Sequence, residues 1–268
     1  MSAVSSGGER RTLAPFGRRR LRVTGRREVG AYVVLEAADP DGPPPRPGQF
    51  YMLAAAERWG GGVDERPFLP RAFSVMRRSG SRLEFMLEAV GPGTTRLGEL
   101  RPGDGLWIAG PFGIGFAPPR DGRTPLLVGG GVGTAPLAIW QDAIGAPVIL
   151  GFRDAEHAAG ASLLADARVA TDDGSVGHKG PVTDLLLAEI GRSAHIEVYA
   201  CGPPGMLEGV RAICAEHAIP AQLALESGMA CGYGACFGCV VPTTGGYLRL
   251  CVDGPVLDAS ILDQVFHP

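Results

Sequence analysis

From Leu21 to about Phe116 the chain sets short apolar stretches between turn residues. LRVTGRREVGAYVVLEA, GQFYMLAA, RAFSVMRR, SRLEFMLEAV and DGLWIAGPFG follow one another with Gly-Pro punctuation and almost no helical period. Alternation at every second position puts one face of a strand inside and the other outside. Strands at this spacing predict a small antiparallel barrel over 21–118. The Pro-rich DPDGPPPRPG and the WGGGVDERP stretch predict surface loops. After PPRDGRTP the rhythm changes. An apolar strand, Pro125 to Val128, meets a glycine run and then a helical pattern through Pro136 and Trp140. APVILGF, ARVAT and HIEVYACG then alternate with the helical stretches PVTDLLLAEI and PPGMLEGVRAICAEH. That alternation predicts a parallel sheet covered on both faces, over 119–222. The tail, 223–268, shows little periodicity and no repeat of longer period precedes it.

Composition agrees with β and α/β structure and changes one point. Gly 41 and Pro 23 in 268 residues are too many for a helix bundle, and 45% hydrophobic with 20% charged residues describes a folded chain. No run of about 18 apolar residues offers a membrane span. The formal charge of −3 is unevenly placed: eight Arg (10, 11, 18, 19, 20, 22, 26, 27) stand against Glu9 and Glu28 at the start. Residues 1–20 therefore read as a basic flexible arm leading into the first strand. Beyond Phe16 the arm carries no aromatic interleaving and the rest of the chain is acidic, so no nucleic-acid partner is expected. It also lacks the apolar core of a secretory signal, which places the six cysteines in reducing cytosol, where clustered Cys hold metal more often than they form disulfides.

Four of the six are spaced C-x4-C-x2-C-x11-C: Cys231, Cys236, Cys239 and Cys251. This is the plant-type arrangement for a [2Fe–2S] cluster. The loop must wrap the cluster with backbone N–H groups aimed at sulfur, and Gly232, Gly234, Ala235 and Gly238 are small enough to allow it. A structural zinc site is the alternative; it usually pairs its ligands as two C-x2-4-C knuckles, and only Cys236 and Cys239 form one here. Cys214, in VRAICAEH, reads as a buried small hydrophobe.

Two further segments suit nucleotides. LLVGGGVGTAPL places Gly129, Gly130, Gly131 and Gly133 between a buried strand and a helix, where backbone can approach a pyrophosphate at a helix N-terminus; tight packing explains the same glycines. Pro136 stands where a third fingerprint glycine would be, and suits a first helical turn. Arg71-Ala72-Phe73-Ser74 offers a cation, an aromatic plane and a hydroxyl on one strand, as a flavin contact or as an ordinary barrel strand. Gly91-Pro92-Gly93-Thr94-Thr95 supplies N–H groups and hydroxyls suited to phosphate.

Together these segments resemble the ferredoxin–NADP reductase superfamily: a flavin barrel with R-x-[FY]-S, then a pyridine-nucleotide domain opening with G-G-G-x-G-x-x-P and closing with C-G-P. With the cysteine segment added, about Leu21 to Val265 resembles the electron-transfer subunits of type B dihydroorotate dehydrogenase. The match rests on RAFS, VGPGTT, GPFGIGF, GGGVGTAPL, TDDGSVGHKGPVTDLL, CGPPGM and MACGYGACFGC followed by CVDGP. The resemblance implies FAD held by Arg71, Ala72, Phe73 and Ser74, with Gly93, Thr94 and Thr95 at its pyrophosphate and Met86, Leu87 and Glu88 on its other side. It implies NAD(H) cradled by Gly131, Val132, Gly133 and Thr134, with Cys201, Gly202 and Pro203 bordering the nicotinamide, and Cys231, Cys236, Cys239 and Cys251 as cluster ligands. Pro92, where a basic residue is common, and Gly228, where a larger side chain is expected, depart from the pattern.

The implied chemistry is electron transfer. NADH gives up two electrons as a hydride and a [2Fe–2S] cluster takes one, so a flavin must stand between them. No Ser/His/Asp triad or paired carboxylate is evident, and His178 reads as solvated. The resemblance therefore implies an FMN-containing dihydroorotate dehydrogenase catalytic subunit as partner, two of each in a cytoplasmic heterotetramer of pyrimidine biosynthesis. A flavin and iron–sulfur subunit of another NAD(P)H-linked complex, such as a ferredoxin transhydrogenase or hydrogenase diaphorase, is the alternative; resembled members there carry Asp as first ligand, where this chain has Cys231. A zinc-stapled nucleotide-binding regulator is the third reading. For the coenzyme, Arg153 would meet a 2′-phosphate while Asp172 and Asp173 would repel one; the resemblance favours NADH.

Overall fold

The computed structural model describes residues 17–60, 67–193 and 195–264, so the basic arm up to residue 16 and most of the WGGGVDERP loop lie outside the described residues. The first half forms β1 (Arg19–Val29), β2 (Tyr32–Ala38), β3 (Phe50–Ala55), β4 (Arg71–Ser74), β5 (Arg77–Ser79), β6 (Arg82–Glu88), the short helix α1 (Pro92–Gly98) and β7 (Gly105–Phe112). The strands are hydrogen-bonded in the order β4-β3-β7-β1-β2-β6-β5, each pair antiparallel. The chain closes this sheet on itself. Between β4 and β5, fully buried Val75 donates its N–H to the Gln49 carbonyl beside β3, and Met76 donates to Glu84 in β6. Alternation then fills the interior: Leu35, Leu53, Phe85, Leu106 and Ile108 point inward and are wholly buried. Each such side chain contributes about 1.5–3 kcal/mol.

β1 starts at Arg19, inside the segment expected to be a free arm. The reason is local chemistry. The Arg19 guanidinium donates to both Asp39 oxygens at 2.9 and 2.7 Å and to the Gly110 carbonyl at 2.9 Å, while Arg19 and Arg20 pair with Ile108 and Trp107 of β7.

The second half forms β8 (Thr124–Gly130), α2 (Thr134–Ile144), β9 (Val148–Phe152), α3 (Ala155–Ala158), β10 (Arg168–Thr171), β11 (His178–Lys179), α4 (Val182–Arg192), β12 (Ile196–Cys201), α5 (Pro204–Glu216) and β13 (Ala221–Ala224). Every residue of β12 and β13 is buried, as strands covered on both faces require. α2 ends where Gly145 takes φ 63°, a left-handed cap that glycine adopts without penalty. Cys214 is buried in α5 among apolar neighbours.

The last segment holds the hairpin β14 (Val240–Thr243) and β15 (Gly246–Arg249), then β16 (Val256–Asp258). β16 pairs antiparallel with β13, giving the second sheet the order β11-β10-β9-β8-β12-β13-β16. The tail thus rejoins the nucleotide-type sheet, and the expected boundary at 222/223 runs through β13. Three apolar residues, Val256 to Leu257 with Leu262, carry too short a pattern to announce an edge strand.

Candidate functional site

The barrel and the parallel sheet meet along a cleft of about 590 Å³, within the range that holds a cofactor. One wall is the edge strand β4, all four of whose residues, Arg71, Ala72, Phe73 and Ser74, line it; Met86, Glu88 and Thr94 continue that wall. Leu87 does not reach the cleft. It points into the barrel core, as alternation along β6 demands. Thr95 is exposed and lies off the cleft lining.

Arg71 is set by its neighbours. Its guanidinium donates to the Leu69 carbonyl at 2.5 Å and stands 5.8 Å from the Trp59 ring centre. Buried Gly93 passes directly behind it: a Cβ there would come within 2.6 Å of Arg71 Nε. Thr94 ties the turn together, its hydroxyl accepting from the N–H groups of Val90 and Gly91 at 2.9 and 3.0 Å and donating to the Gly91 carbonyl. Pro92 is the first residue of α1, a position where its missing N–H costs nothing.

The opposite wall comes from the second sheet. Val132 and Ala135, from the turn after β8, line the cleft. Gly133 lets this turn touch the end of β12: a Cβ there would fall 2.2 Å from the Cys201 carbonyl oxygen and 2.6 Å from Gly202 N. The structure therefore brings Gly131–Thr134 and Cys201-Gly202-Pro203 together as one unit at the strand ends. The Thr134 hydroxyl is buried there with no hydrogen-bond partner among the described residues. That orphaned group at a strand-to-helix turn fits a phosphate-bearing coenzyme. Arg153, beyond β9, is engaged elsewhere: it pairs with Glu88 and donates to His157 Nε2 at 2.9 Å. Asp172 and Asp173 lie beside it, their N–H groups bonded to the Phe152 and Arg153 carbonyls at 3.0 and 3.3 Å.

The third wall, Leu225 to Ala230 with Gly238, belongs to the cysteine segment. Its four thiols meet as two pairs. Cys239 and Cys251 stand 3.2 Å apart, sulfur to sulfur, and the Cys231 thiol bonds the Cys236 side chain. Backbone N–H groups aim at sulfur as expected: Gly238 N lies 3.4 Å from Cys236 Sγ and Cys251 N lies 3.4 Å from Cys239 Sγ. Burial raises the Cys231 thiol, but hydrogen bonds from the Tyr233, Cys236 and Ala235 backbones and the Cys236 side chain carry it down to about 6. Burial first, then the Cys239 hydrogen bond and charge, push Cys251 up to about 12. Among the described residues no three ligand-type side chains converge to the spacing of a single ion. Two thiol pairs under inward N–H groups fit two irons with two thiolates each, and suit a lone tetrahedral zinc poorly.

Sequence reading missed Glu226. Its carboxyl opens onto the cleft, yet protein surrounds it closely enough that desolvation raises its pKa. The same crowding raises buried Cys201, with the Glu226 charge adding to it. LALESGMA held no spacing to set Glu226 apart from a surface glutamate; only its position, next to β13 and just before the cysteines, was a signal.

A flavin cleft on an antiparallel barrel, facing a glycine turn and a four-thiol segment, defines a ferredoxin reductase-like flavin and pyridine-nucleotide oxidoreductase with an iron–sulfur segment. Solved structures of that fold align with the chain: an NADH-dependent reduced ferredoxin-NADP oxidoreductase (TM-score 0.74, 24% identity, 91% of this chain and 90% of that one). The flavohem-like FAD/NAD-binding domain of a Vibrio cholerae nitric oxide dioxygenase aligns at TM-score 0.60, 22% identity, over 75% of this chain and 94% of that one. Residues 226–263 match the family model for the iron–sulfur cluster binding domain of dihydroorotate dehydrogenase B. The dihydroorotate dehydrogenase B (NAD(+)) electron transfer subunit of Caldanaerobacter subterraneus is 35% identical over 89% of this chain and 96% of its own length. Its probable counterpart in Methanopyrus kandleri is 38% identical over 78% of each. The chain belongs to the family of dihydroorotate dehydrogenase B electron transfer subunits.

Proposed function

We propose that the chain carries electrons between NAD(H) and an FMN-containing dihydroorotate dehydrogenase catalytic subunit, through FAD and a [2Fe–2S] cluster, in the pyrimidine pathway. The observation that carries this reading is the shared cleft. One cavity is lined by the R-A-F-S strand, by the nucleotide turn at Val132 and Ala135, and by the cysteine segment from Leu225 to Ala230. When bound, FAD and the cluster supply the exchange between a hydride carrier and one-electron carriers.

The chain's own residues set the order. Arg71 would supply a cation to the flavin phosphate, and Phe73 and Ser74 on the same cleft wall would border the ring. Gly131 to Thr134 would hold the dinucleotide, with Cys201, Gly202 and Pro203 packed against the same turn. Glu226, its carboxyl pKa raised by desolvation, lines the cleft wall beside them. Cys231, Cys236, Cys239 and Cys251 would hold the two irons, Cys236 being the exposed thiol of the four. NADH is the coenzyme this arrangement favours, because Arg153 is bound by Glu88 and His157 while Asp172 and Asp173 flank it. Two copies of each subunit form the assembly, and the cytoplasm is the compartment; among the described residues no helix is long and apolar enough to cross a membrane.

Steady-state assays test this. The purified chain is expected to oxidise NADH with an artificial acceptor and to leave dihydroorotate untouched until the catalytic subunit is added. Orotate formed by the lone chain would overturn the division of labour.

A further inference from the structure

Tyr32 opens β2 and so belongs to the flavin barrel, yet its side chain is spent on the other half of the molecule. It is wholly buried. The ring meets His157, beyond β9, edge-on at 5.7 Å and 88°. Gly160 admits it: a Cβ there would lie 2.9 Å from Tyr32 Cε2. The hydroxyl at the end of this ring has no hydrogen-bond partner among the described residues.

What the hydroxyl faces is the nucleotide turn. Gly131 takes φ +53°, and a Cβ built on it would meet a single neighbour within 4 Å, the Tyr32 hydroxyl at 3.9 Å. No other atom outside the turn's own chain neighbours comes within 4 Å of that position. Burial, and after it the Glu88 charge, keep the phenol protonated well above its ordinary range, so at neutral pH it is a hydrogen-bond donor. A buried donor without an acceptor is disfavoured, and this one faces a strand-to-helix turn of the kind that binds acceptor-rich phosphates.

We infer that Tyr32 is the barrel's contribution to the pyridine-nucleotide site: its hydroxyl donates to an oxygen of the dinucleotide pyrophosphate held at Gly131–Thr134. This rests on the coenzyme reading of that turn. Thr134, the second orphaned hydroxyl of the same turn, belongs to the parallel-sheet unit. The pyrophosphate therefore bridges the two units, and Tyr32 is a positioning residue that couples coenzyme binding to their alignment.

The test is Tyr32→Phe, which keeps the ring and deletes the hydroxyl, made in the FAD- and cluster-loaded protein. Titration calorimetry with NAD+ and with ADP-ribose is expected to show binding about ten- to a hundredfold weaker for both, one hydrogen bond to a charged oxygen lost. Flavin and iron content stay at wild-type levels. The thermal midpoint without nucleotide is expected to be unchanged or higher, because an orphaned hydroxyl has been removed, and the rise on adding NAD+ smaller. Equal affinities of the two proteins would overturn the inference. So would a lower midpoint without nucleotide, which would mean that the hydroxyl already has a partner, and so would a deficit for NAD+ that ADP-ribose does not share. A wild-type protein that binds neither ligand would instead overturn the coenzyme reading of the turn.

Discussion

Gly93→Ala tests whether Arg71 holds the flavin phosphate, without touching Arg71. The backbone at Gly93 is one that alanine accepts, since its φ is not positive, and helix α1 gains about 0.5–1 kcal/mol from the change. The new methyl, however, would lie 2.6, 2.7 and 2.8 Å from Nε, Cζ and Nη2 of Arg71. Those atoms form the end of a flexible side chain, so the guanidinium swings away and the fold stays intact. It leaves the Leu69 carbonyl and the Trp59 face, and with them the position from which it meets phosphate. A charge-assisted hydrogen bond is worth about 1.5–3 kcal/mol, which weakens FAD about ten- to a hundredfold. Apo-protein reconstituted with FAD and followed by flavin fluorescence gives the dissociation constant. Calorimetry on the same sample should show unfolding within about 1 kcal/mol of wild type. Arg71→Ala should give the same loss, and the double variant no more than either alone, because both remove one interaction. Wild-type FAD affinity in Gly93→Ala, or losses that add, would refute the reasoning.

Three other outcomes follow from the site and the barrel. Cys251→Ser is expected to lose the two irons and the brown colour while flavin content persists, read by metal analysis and visible spectroscopy; unchanged iron would remove Cys251 from the ligand set. Glu226→Gln should alter how stability depends on pH: a raised carboxyl pKa stabilises the folded state below the ordinary carboxylate range, and that contribution fades as pH rises through the raised value. The wild-type thermal midpoint should therefore lose ground to Glu226→Gln between about pH 4.5 and neutrality, by a small amount because the carboxyl opens onto the cleft; a gap that widens in favour of wild type would contradict the sign. Asp39→Asn leaves Arg19, whose side chain is only 15% exposed, without its counter-charge, and is expected to cost about 3–5 kcal/mol in chemical denaturation; a loss below 1 kcal/mol would show the pair to be dispensable.

The parts of the site that were legible are those whose chemistry forces a spacing. Cys231, Cys236, Cys239 and Cys251 had to be interrupted by small residues if N–H groups were to reach sulfur, and that requirement is visible in a string of letters. The strands of the barrel were legible for a similar reason, because alternation is their burial pattern. Where a residue acts through tertiary placement, no local rule marks it. Glu226 follows an ordinary strand, and Tyr32 is one aromatic residue in a barrel that needs several. Leu87 shows the converse: motif neighbourhood put it beside the flavin, and the period of two turned it into the core. β16 escaped notice because an edge strand of three residues is shorter than any pattern that composition can display.

The cysteine segment leaves the parallel sheet after β13 and returns to it in β16, and those two strands are neighbours, tied further by the Leu225 N–H to the Pro255 carbonyl at 2.9 Å. The excursion is therefore closed at its base by backbone hydrogen bonds of the sheet rather than by its own thiols. Loop closure is a cost that grows only slowly with length once the ends are fixed, and here the sheet fixes them. Iron has to order the inside of a loop and need not recruit a distant piece of chain, so loading and loss of the metal become local events at one edge of a folded protein.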